Sequence, residues 1–292
     1  MSRRYRGQLA PVAPDPVASG LQKQSSMLEV ECAQLSDPGR VRKHNEDYLG
    51  RMAPNSSARA RSHGWLFVVA DGVGGHEDGE IASRLAVETL LAGFESAVAG
   101  EPHAPLLQRL VQAANIHVHE AGLASGSVGR AMATTLVACA LRFDRFTVAH
   151  VGDSRCHLIR RGRATLLTRD HTLANEQVRL GILSAGQASE SASRHVLSRS
   201  LGSKLFVSVD ISEHLLLPGD VLLLSSDGLH GAVAEADLAR AVNEETDLQA
   251  AARQLVQLAN ERDGSDNVSL QLVRVRDVER VGMYRGRPYK LP

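Results

Sequence analysis

Several features are scarce in this chain, and each scarcity argues against a class of protein. Aromatic residues make up 3% of the 292 residues, too few for a surface on which nucleic-acid bases stack. Lysine plus arginine equals aspartate plus glutamate at 33 each, so no net charge attracts nucleic acid or anionic lipid. No apolar run approaches the roughly 20 residues that span a bilayer. We therefore expect neither a nucleic-acid partner nor a membrane span.

Cysteine is also rare. The three cysteines, Cys32, Cys139 and Cys156, are an odd number and lack the spacing of a metal site. They are typical of reduced packing residues in a cytoplasmic protein. Arg3 and Arg4 resemble the start of a twin-arginine export signal, but no apolar segment follows them. We therefore expect a cytoplasmic location.

The composition is otherwise that of a globular protein, with 43% hydrophobic and 23% charged residues. Residues 1–27 hold prolines, serines and glycines without periodicity and are expected to be a flexible tail. Residues 277–292 are basic and lack a pattern, so a second tail is expected there. One domain over residues 28–276 is predicted between the tails. Its predicted strands and helices fall in separate runs, which favours an α+β fold over a doubly wound α/β fold.

Periodicity locates the elements of this domain. Apolar residues at helical spacing predict two neighbouring helices over about 78–99 and 107–118. Residues 53–62 are expected to form a polar loop, and residues 171–195 a partly helical flap over a site. Thr246 and Gln249 are a candidate capping box that opens a third helix, with Leu248, Ala252, Leu255 and Ala259 on its apolar face. The predicted strands are 28–35, 48–52, 65–70, 134–141, 145–151, 156–159, 164–167, 207–211, 221–224 and 267–272.

Five places in the chain share one pattern, an apolar run or a turn that stops at an acidic residue. The clearest is the predicted strand 65–70, which is followed by Asp71 and then by three glycines within four residues. One such acid is usually an ordinary turn residue, but several buried together are costly unless cations neutralise them. Oxygen ligands favour Mg²⁺ or Mn²⁺. The acids at the five places are Glu46 with Asp47, Asp71, Asp153, Asp227 and Asp266.

A basic residue accompanies the first of these acids. Arg42 lies five residues before Asp47, and a guanidinium beside a carboxylate-metal site is suited to bind a phosphate with two hydrogen bonds. Metal ions acidify a water molecule, while the arginine and the metals hold the phosphate and its developing charge. The sequence therefore predicts a metal-dependent phosphoester hydrolase.

Seven motifs in this chain occur in the order typical of one enzyme family. From about residue 28 to residue 276, the chain resembles the metal-dependent Ser/Thr protein phosphatases of the PPM, or type 2C, family in their bacterial form. Any one motif is weak evidence, but seven in order are very specific. The motifs are Arg42-x-x-Asn45-Glu46-Asp47, Asp71-Gly72-x-Gly74-Gly75, Thr134-Thr135-Leu136, Gly152-Asp153-Ser154-Arg155, Thr168-x-Asp170-His171, Ser226-Asp227-Gly228-Leu229 and Asp266-Asn267.

The resemblance implies a fold and a chemistry. The fold would be a four-layer α-β-β-α sandwich, with two antiparallel sheets flanked by helix pairs and the metals at one end between the sheets. Two Mn²⁺ or Mg²⁺ ions would occupy the core site, with a weaker third ion beside them. A water held between the metals would attack phosphoserine and phosphothreonine directly. Asp71 would bridge the two metals, the Gly72 carbonyl would help to bind one, and Asp227 and Asp266 would hold the first.

The same likeness implies roles for the remaining site residues. Glu46 would reach the second metal directly or through water, with Asp47 behind it. Asp153, together with Asp227, would suit the third metal. Arg42 would hold the substrate phosphate. Asn267 and Thr135 would hold the metal-binding residues in place without contacting the metals themselves.

The chain departs from the family pattern at Val73. Well-studied animal members have a histidine there, a proposed general acid that protonates the leaving group. That role is open here between His76, His44 and a metal-bound water. Ala133 also stands where bacterial relatives commonly have glycine, which predicts tighter packing. The flap ends in a segment beginning at Arg194, which is similar to the segment at the end of the flap in bacterial family members. We expect the flap to affect substrate choice.

Two other functions compete with the phosphatase. A non-catalytic scaffold or sensor on the same fold would bind phosphoproteins, but such chains lose metal-binding acids that this chain keeps. A serine hydrolase would use Ser154 of Gly152-Asp153-Ser154 as its nucleophile, although that motif usually stands near the N-terminus and needs a late Asp-x-x-His, which we do not assign in this chain. The preferred interpretation implies phosphorylated protein substrates, including a cognate Ser/Thr kinase or its substrates, and a monomer that needs no regulatory subunit.

Overall fold

The computed structural model describes residues 27–73, 77–125, 132–284 and 287–290. Most strands arise from continuous or alternating apolar runs, as the sequence predicts. They are β1 (Glu29–Asp37), β2 (Asp47–Met52), β3 (Trp65–Val73), β4 (Ala133–Thr134), β5 (Leu136–Arg142), β6 (Arg145–Val151), β7 (Arg155–Arg160), β8 (Arg163–Leu166), β9 (Asp210–Leu215), β10 (Val221–Ser225), β11 (Val268–Asp277), β12 (Val281–Tyr284) and β13 (Arg287–Lys290).

Two antiparallel sheets contain most of these strands. Sheet I has the order β1-β11-β10-β7-β8, and sheet II has the order β2-β3-β5-β6-β9 with the short β4 paired to β3. The fully buried β10 lies at the centre of sheet I, as its unbroken apolar run predicts. The sheets pack face to face through a shared apolar layer that includes Phe67, Val69 and Leu222.

Helices cover the outer faces of both sheets. The helices of the described residues are α1 (Ser57–Ser62), α2 (Glu77–Glu95), α3 (His103–Ala124), α4 (Leu173–Arg179), α5 (Ala185–Glu190), α6 (Asp227–His230), α7 (Glu235–Glu244) and α8 (Leu248–Arg262), with a 3₁₀ turn at Ala192–His195. Leu90 of α2 and Leu107 of α3 pack on the outer face of sheet II, and Leu238 of α7 and Leu255 of α8 pack on that of sheet I. The result is the predicted α-β-β-α sandwich.

The connection between the sheets positions the site. β6 belongs to sheet II and β7 to sheet I, so the turn at residues 152–154 crosses from one sheet to the other. The ends of β3 and β10 and the start of β11 reach the same end of the sandwich, because β11 runs antiparallel to β10. The predicted flap consists of α4, α5 and the 3₁₀ turn.

Several local predictions were wrong. The expected loop 53–62 contains α1, whose N-cap Ser56 accepts a hydrogen bond from the Arg59 amide. The strand expected at 207–211 begins at Asp210, and α6 and α7 were not predicted. Helix α8 is capped by Asp247 rather than by Thr246. In the expected tail 277–292, β12 and β13 pair as a hairpin.

The expected N-terminal tail lies outside the described residues, except for residue 27. Within the described part of the chain, no helix is both long and apolar enough to cross a membrane. The domain boundaries at 28 and 276, and the flap limits at 171 and 195, stay predictions.

Candidate metal centre

Two carboxylates of the site come from neighbouring strands of sheet II. Asp47 begins β2 and stands opposite Asp71 near the end of β3. Side chains alternate along a strand, so Asp71 shares the inter-sheet face of Phe67 and Val69, and Asp47 shares that of Leu49. Both acids therefore point into the space between the sheets, at its open end.

The backbone of Asp71 is fixed on one side by Thr135. The Asp71 amide donates to Thr135 Oγ1 at 3.0 Å, and the Thr135 amide donates to the Asp71 carbonyl at 2.8 Å. Thr134 Oγ1 donates to the same carbonyl at 2.8 Å. These bonds hold the tip of β3 rigidly, so the direction of the Asp71 carboxylate is set by the backbone.

Gly72 allows the loop and helix next to Asp71 to approach closely. A Cβ at Gly72 would lie 2.1 Å from the Gly79 carbonyl oxygen of α2, and one at Gly79 would lie 2.0 Å from Glu46 Oε2. The Gly72 amide donates to the Glu46 carbonyl at 3.1 Å, and Ser83 Oγ donates to that carbonyl at 2.6 Å. Only glycine at 72 and 79 lets Glu46 reach this side of the site.

Sheet I contributes two further acids. Asp227 follows β10 and begins α6, and Asp266 stands just before β11. Arg42 donates to Asp266 Oδ2 at 2.7 Å. About half of the Arg42 side chain is exposed, so its guanidinium lies at the mouth of the site, where an incoming phosphate can reach it.

Asn267 fixes the loop that carries Arg42 and Glu46. Its Oδ1 accepts from the Glu46 amide at 2.9 Å, and its Nδ2 donates to the carbonyls of Pro38 at 2.9 Å and His44 at 3.0 Å. One side chain of sheet I thus holds three points of the 38–46 loop. The sequence motif marks Asn267, but its partners are more than 220 positions away in the chain and follow only from the fold.

The fifth acid, Asp153, lies on the turn that crosses between the sheets. Gly152 adopts a φ of +106°, and a Cβ there would lie 2.6 Å from Thr135 Cβ, so the turn requires glycine. Next to it, Ser154 Oγ lies 2.6 Å from Thr135 Oγ1. Thr135 therefore connects the Asp71 strand to the Asp153 turn.

Burial and neighbouring aspartates raise the pKa values of Asp47, Asp71, Asp153 and Asp227. Burial is the largest cause for Asp71, whose pKa lies well above its ordinary value, and Asp47, Asp227, Asp153 and Asp266 each raise it further. Four aspartates act on Asp71, so it occupies the middle of the group.

Two neighbours of Asp71 show the same effect with values attached. Burial raises the pKa of Asp47 to about 7, with Asp227 and Asp266 adding to it and the hydroxyl of Ser226 opposing it. Burial and then Asp227 raise the pKa of Asp153 to about 7. Burial and Asp266 also raise the pKa of Asp227. Such shifts mean that the negative charges are not neutralised by the protein itself.

The donor set fits divalent cations. Asp47 Oδ1 is buried and has no hydrogen-bond partner among the described residues, while Oδ2 accepts from Ser226 at 2.7 Å. The converging groups are carboxylates without histidine or cysteine, which suits a hard ion such as Mg²⁺ or Mn²⁺. In the described ranges, no three His, Cys, Asp or Glu side chains already surround a common point.

A cavity of about 430 Å³ connects these acids to the flap. Asp153 and Asp227 line its floor, and Asn175, Arg194 and His195 of the flap line the opposite side. Its walls carry both small apolar and hydrogen-bonding side chains. The cavity can therefore receive part of a substrate bound next to the carboxylates.

The structure argues against the serine-hydrolase alternative. The sequence argument overlooked that Asp227 and His230 have the Asp-x-x-His spacing that a serine hydrolase with a Gly-Asp-Ser motif needs. Ser154, however, is completely buried and shares its hydrogen bond with Thr135, so it is not an accessible nucleophile. His76 lies outside the described residues.

The structure brings most of the predicted site residues to one end of the sandwich. They are Arg42, Glu46, Asp47, Asp71, Gly72, Thr135, Asp153, Asp227, Asp266 and Asn267. Sequence reasoning missed the supporting role of Ser226, which holds Asp47, and the two-bond ion pair of Arg155 with Asp170 beside Asp153. Ser226 and Arg155 belong to motifs named above and lie within two residues of a predicted acid, but the sequence does not show which side chains they contact.

Comparison with known proteins gives consistent matches. The family model described as "Protein phosphatase 2C" matches residues 40–273. A putative protein phosphatase 2C-type of Streptococcus pyogenes is 31% identical over 240 residues, which are 82% of this chain and 94% of the relative. The serine/threonine phosphatase stp of Listeria innocua is 33% identical over 255 residues, 86% of this chain and 96% of the relative.

Solved structures agree with these matches. The serine/threonine phosphatase of S. agalactiae superimposes with a TM-score of 0.78 at 33% identity, covering 85% of this chain and 100% of that one. The catalytic domain of the serine threonine protein phosphatase PstP, in complex with 2 manganese ions, has a TM-score of 0.73 at 28% identity, covering 86% and 100%.

Proposed function

The chain belongs to the protein phosphatase 2C family, and from this membership and its cluster of buried acids we propose that it is a metal-dependent protein phosphatase. Its substrates are proteins that carry phosphoserine or phosphothreonine. The single observation that carries the proposal is the convergence of five aspartates, from both sheets and from the turn between them, at one end of the sandwich, where four of them surround Asp71 and raise its pKa. Such a group of acids is tolerable when divalent cations neutralise it.

The donor set indicates how the cations would be held. Asp71 would bridge two Mn²⁺ or Mg²⁺ ions, Asp227 and Asp266 would complete the first site, and Glu46 with the Gly72 carbonyl would serve the second. Asp47 would stand behind them, and Asp153 with Asp227 would serve a weaker third site. When bound, the cations supply an activated water and neutralise charge on the phosphate.

The remaining groups bind and orient the substrate. Arg42 would donate hydrogen bonds to the phosphate oxygens, since its side chain is half exposed and already directed by Asp266. Asn267 and Thr135 would keep the ligands in place through the bonds described above. The cavity beneath the flap would receive residues next to the phosphorylated side chain.

Two open points of the reaction and the biology belong to the same proposal. His76, His44 or a water would protonate the leaving group, because Val73 cannot. The substrates would include proteins phosphorylated by a Ser/Thr kinase that this enzyme opposes. We further propose a cytoplasmic enzyme, which the three unpaired cysteines support. That it acts as a monomer stays a prediction.

The experiment is hydrolysis of a phosphothreonine peptide by the full chain. We expect activity with added Mn²⁺, none after chelation, and recovery when Mn²⁺ is restored. Asp71→Asn should lower kcat by orders of magnitude because it removes charge that the cations require. The matched control is Glu244→Gln, an exposed acid at the end of α7, which should behave as wild type.

Two results would overturn the proposal. Phosphatase activity that survives complete chelation would refute the metal-dependent mechanism. A protein that binds the phosphopeptide with Mn²⁺ present but never cleaves it would instead support the scaffold function.

A further inference from the structure

The turn that carries Asp153 is bound from behind by a buried histidine. His171, which is completely buried, follows Asp170 in the segment after β8. Its backbone amide donates to the Gly152 carbonyl at 2.8 Å, and the Gly152 amide donates back to His171 Nδ1 at 3.1 Å. Both polar groups of the Gly152 backbone are therefore satisfied by one residue.

The hydrogen bond from the Gly152 amide fixes the tautomer of the His171 ring. His171 Nδ1 must be unprotonated because it accepts from an amide, so the neutral ring carries its proton on Nε2. Nε2 lies 3.1 Å from Asp210 Oδ2, which accepts that proton in a hydrogen bond. Burial also lowers the pKa of His171, in agreement with a neutral ring.

The same network extends into the flap. Arg199 donates to Asp210 Oδ1 at 3.0 Å and stands 3.6 Å from Glu176 of α4. Asp210 begins β9 and pairs in register with His150 of β6, the strand that leads into the turn. The chain of contacts thus runs from the flap through Arg199, Asp210 and His171 to Gly152.

We propose that His171 is a positioning residue for Asp153. Thr135 restricts the front of the Gly152–Asp153 turn, and His171 holds its back, so that the Asp153 carboxylate faces Asp227. Asp210 keeps the His171 ring in the required tautomer, and Arg199 couples the arrangement to the flap. The role assigned to Asp153 rests on the proposed function, whereas the hydrogen bond to Gly152 does not.

Removing the ring acceptor leaves the Gly152 amide buried without a partner. His171→Phe keeps the ring volume and the backbone bond but deletes Nδ1, so the turn should loosen. His171→Asn places an amide oxygen near the position of Nδ1 and should restore the bond. The matched control is His103→Phe. His103 is a buried histidine of α3 whose ring bonds the His63 carbonyl at 2.7 Å, away from the acids.

The first readout uses the chelated protein and needs no catalysis. Hydrogen exchange of the Gly152 amide should be about 10-fold faster in His171→Phe than in wild type, the effect of losing about one hydrogen bond. Exchange in His171→Asn and in His103→Phe should match wild type. Equal Gly152 exchange in His171→Phe and wild type would overturn the proposal, whether or not the protein is a phosphatase.

The second readout is the binding of Mn²⁺, followed by electron paramagnetic resonance of the free ion. His171→Phe should weaken the lowest-affinity Mn²⁺ site by about 10-fold, again the effect of about one lost hydrogen bond, and leave the tighter binding unchanged. His171→Asn should restore it. Weakening of all Mn²⁺ binding to the same extent in His171→Phe and His103→Phe would indicate general destabilisation and contradict a positioning role.

Discussion

Asp71 is the residue on which the proposed centre depends most directly. Its carboxylate stands on a strand whose tip is fixed by hydrogen bonds from Thr134 and Thr135, and four other aspartates raise its pKa. Folding therefore brings negative charges together at a free-energy cost. This cost is a property of single residues and can be measured by titration.

Asp47 and Asp153 should make the chelated protein less stable as pH rises from about 4 to about 7, while buried histidines with lowered pKa values, such as His103 and His157, act in the opposite direction. The folded pKa values of Asp47 and Asp153 are about 7, above the ordinary 3.8, so the folded state keeps protons that the unfolded state has lost. Folding is then favoured at low pH, and that contribution disappears as pH passes through the folded pKa. Urea unfolding across this range checks the prediction.

Two variants isolate the effect in that experiment. Asp153→Asn resembles the protonated acid and should reduce the loss of stability between pH 4 and pH 7 by a few kcal/mol at most, at about 1.4 kcal/mol per unit of pKa change. Glu244→Gln, an exposed change, should leave the pH dependence as it is. Adding Mn²⁺ at pH 7 should restore stability. If Asp153→Asn and wild type have the same pH dependence, the raised pKa of Asp153 is contradicted.

The acids themselves could be predicted from the sequence, but their supports could not. Asp71, Asp227 and Asp266 each follow or precede an apolar run, and their motifs occur in a family order. Ser226, which holds Asp47, looks like any strand-ending serine, because its partner is 179 positions away in the chain. Such long-range hydrogen bonds depend on how the two sheets pack against each other, and local sequence patterns do not show that packing.

At the scale of elements, helix α8 shows that the capping-box pattern can predict the N-cap one residue too early, at Thr246 instead of Asp247. Thr246 and Gln249 match the capping box, yet the side chain of Asp247 accepts from the amides of Gln249 and Ala250 at 3.0 and 3.2 Å. Aspartate is as good an N-cap as threonine or better. The buried face of the helix, with Leu248, Leu255 and others, was nevertheless predicted correctly.

Asp247→Ala should destabilise the protein by about 1 kcal/mol, since it leaves two amides of the first turn without their acceptor. Thr246→Ala should cost only a few tenths of that, because Asp247 does the capping. Urea midpoints at constant m-value measure both changes. If Thr246→Ala costs as much as Asp247→Ala, the cap has been assigned to the wrong residue.

The errors among the elements have a common cause. α6, of four residues, is too short to show a helical period. α1, of six residues, carries a single buried residue, Ala60, so its apolar face is invisible in the sequence. The hairpin strands β12 and β13 have only four residues each, too few to show an alternating pattern. Most long periodic or continuous elements were predicted well, α7 with its buried Leu238 and Val242 being the exception. Short elements depend on contacts made elsewhere in the fold.

At the scale of the whole molecule, the packing of two sheets creates the candidate centre. Asp47 and Asp71 come from sheet II, Asp227 and Asp266 flank strands of sheet I, and Asp153 lies on the crossing between them. Neither sheet alone contains the set. The packing of the sheets therefore brings acids that are far apart in the sequence together in one group. The apolar layer that includes Phe67 and Leu222 holds the two sheets against each other.

Anomalous diffraction from crystals grown with Mn²⁺ tests this convergence most directly. We predict two Mn²⁺ peaks that share the Asp71 carboxylate, each about 2 Å from its nearest ligand oxygens. Asp227 and Asp266 should contact one ion, and Glu46 should face the other. Peaks that avoid Asp71, or crystals without Mn²⁺ between the two sheets at saturating concentration, would contradict the account.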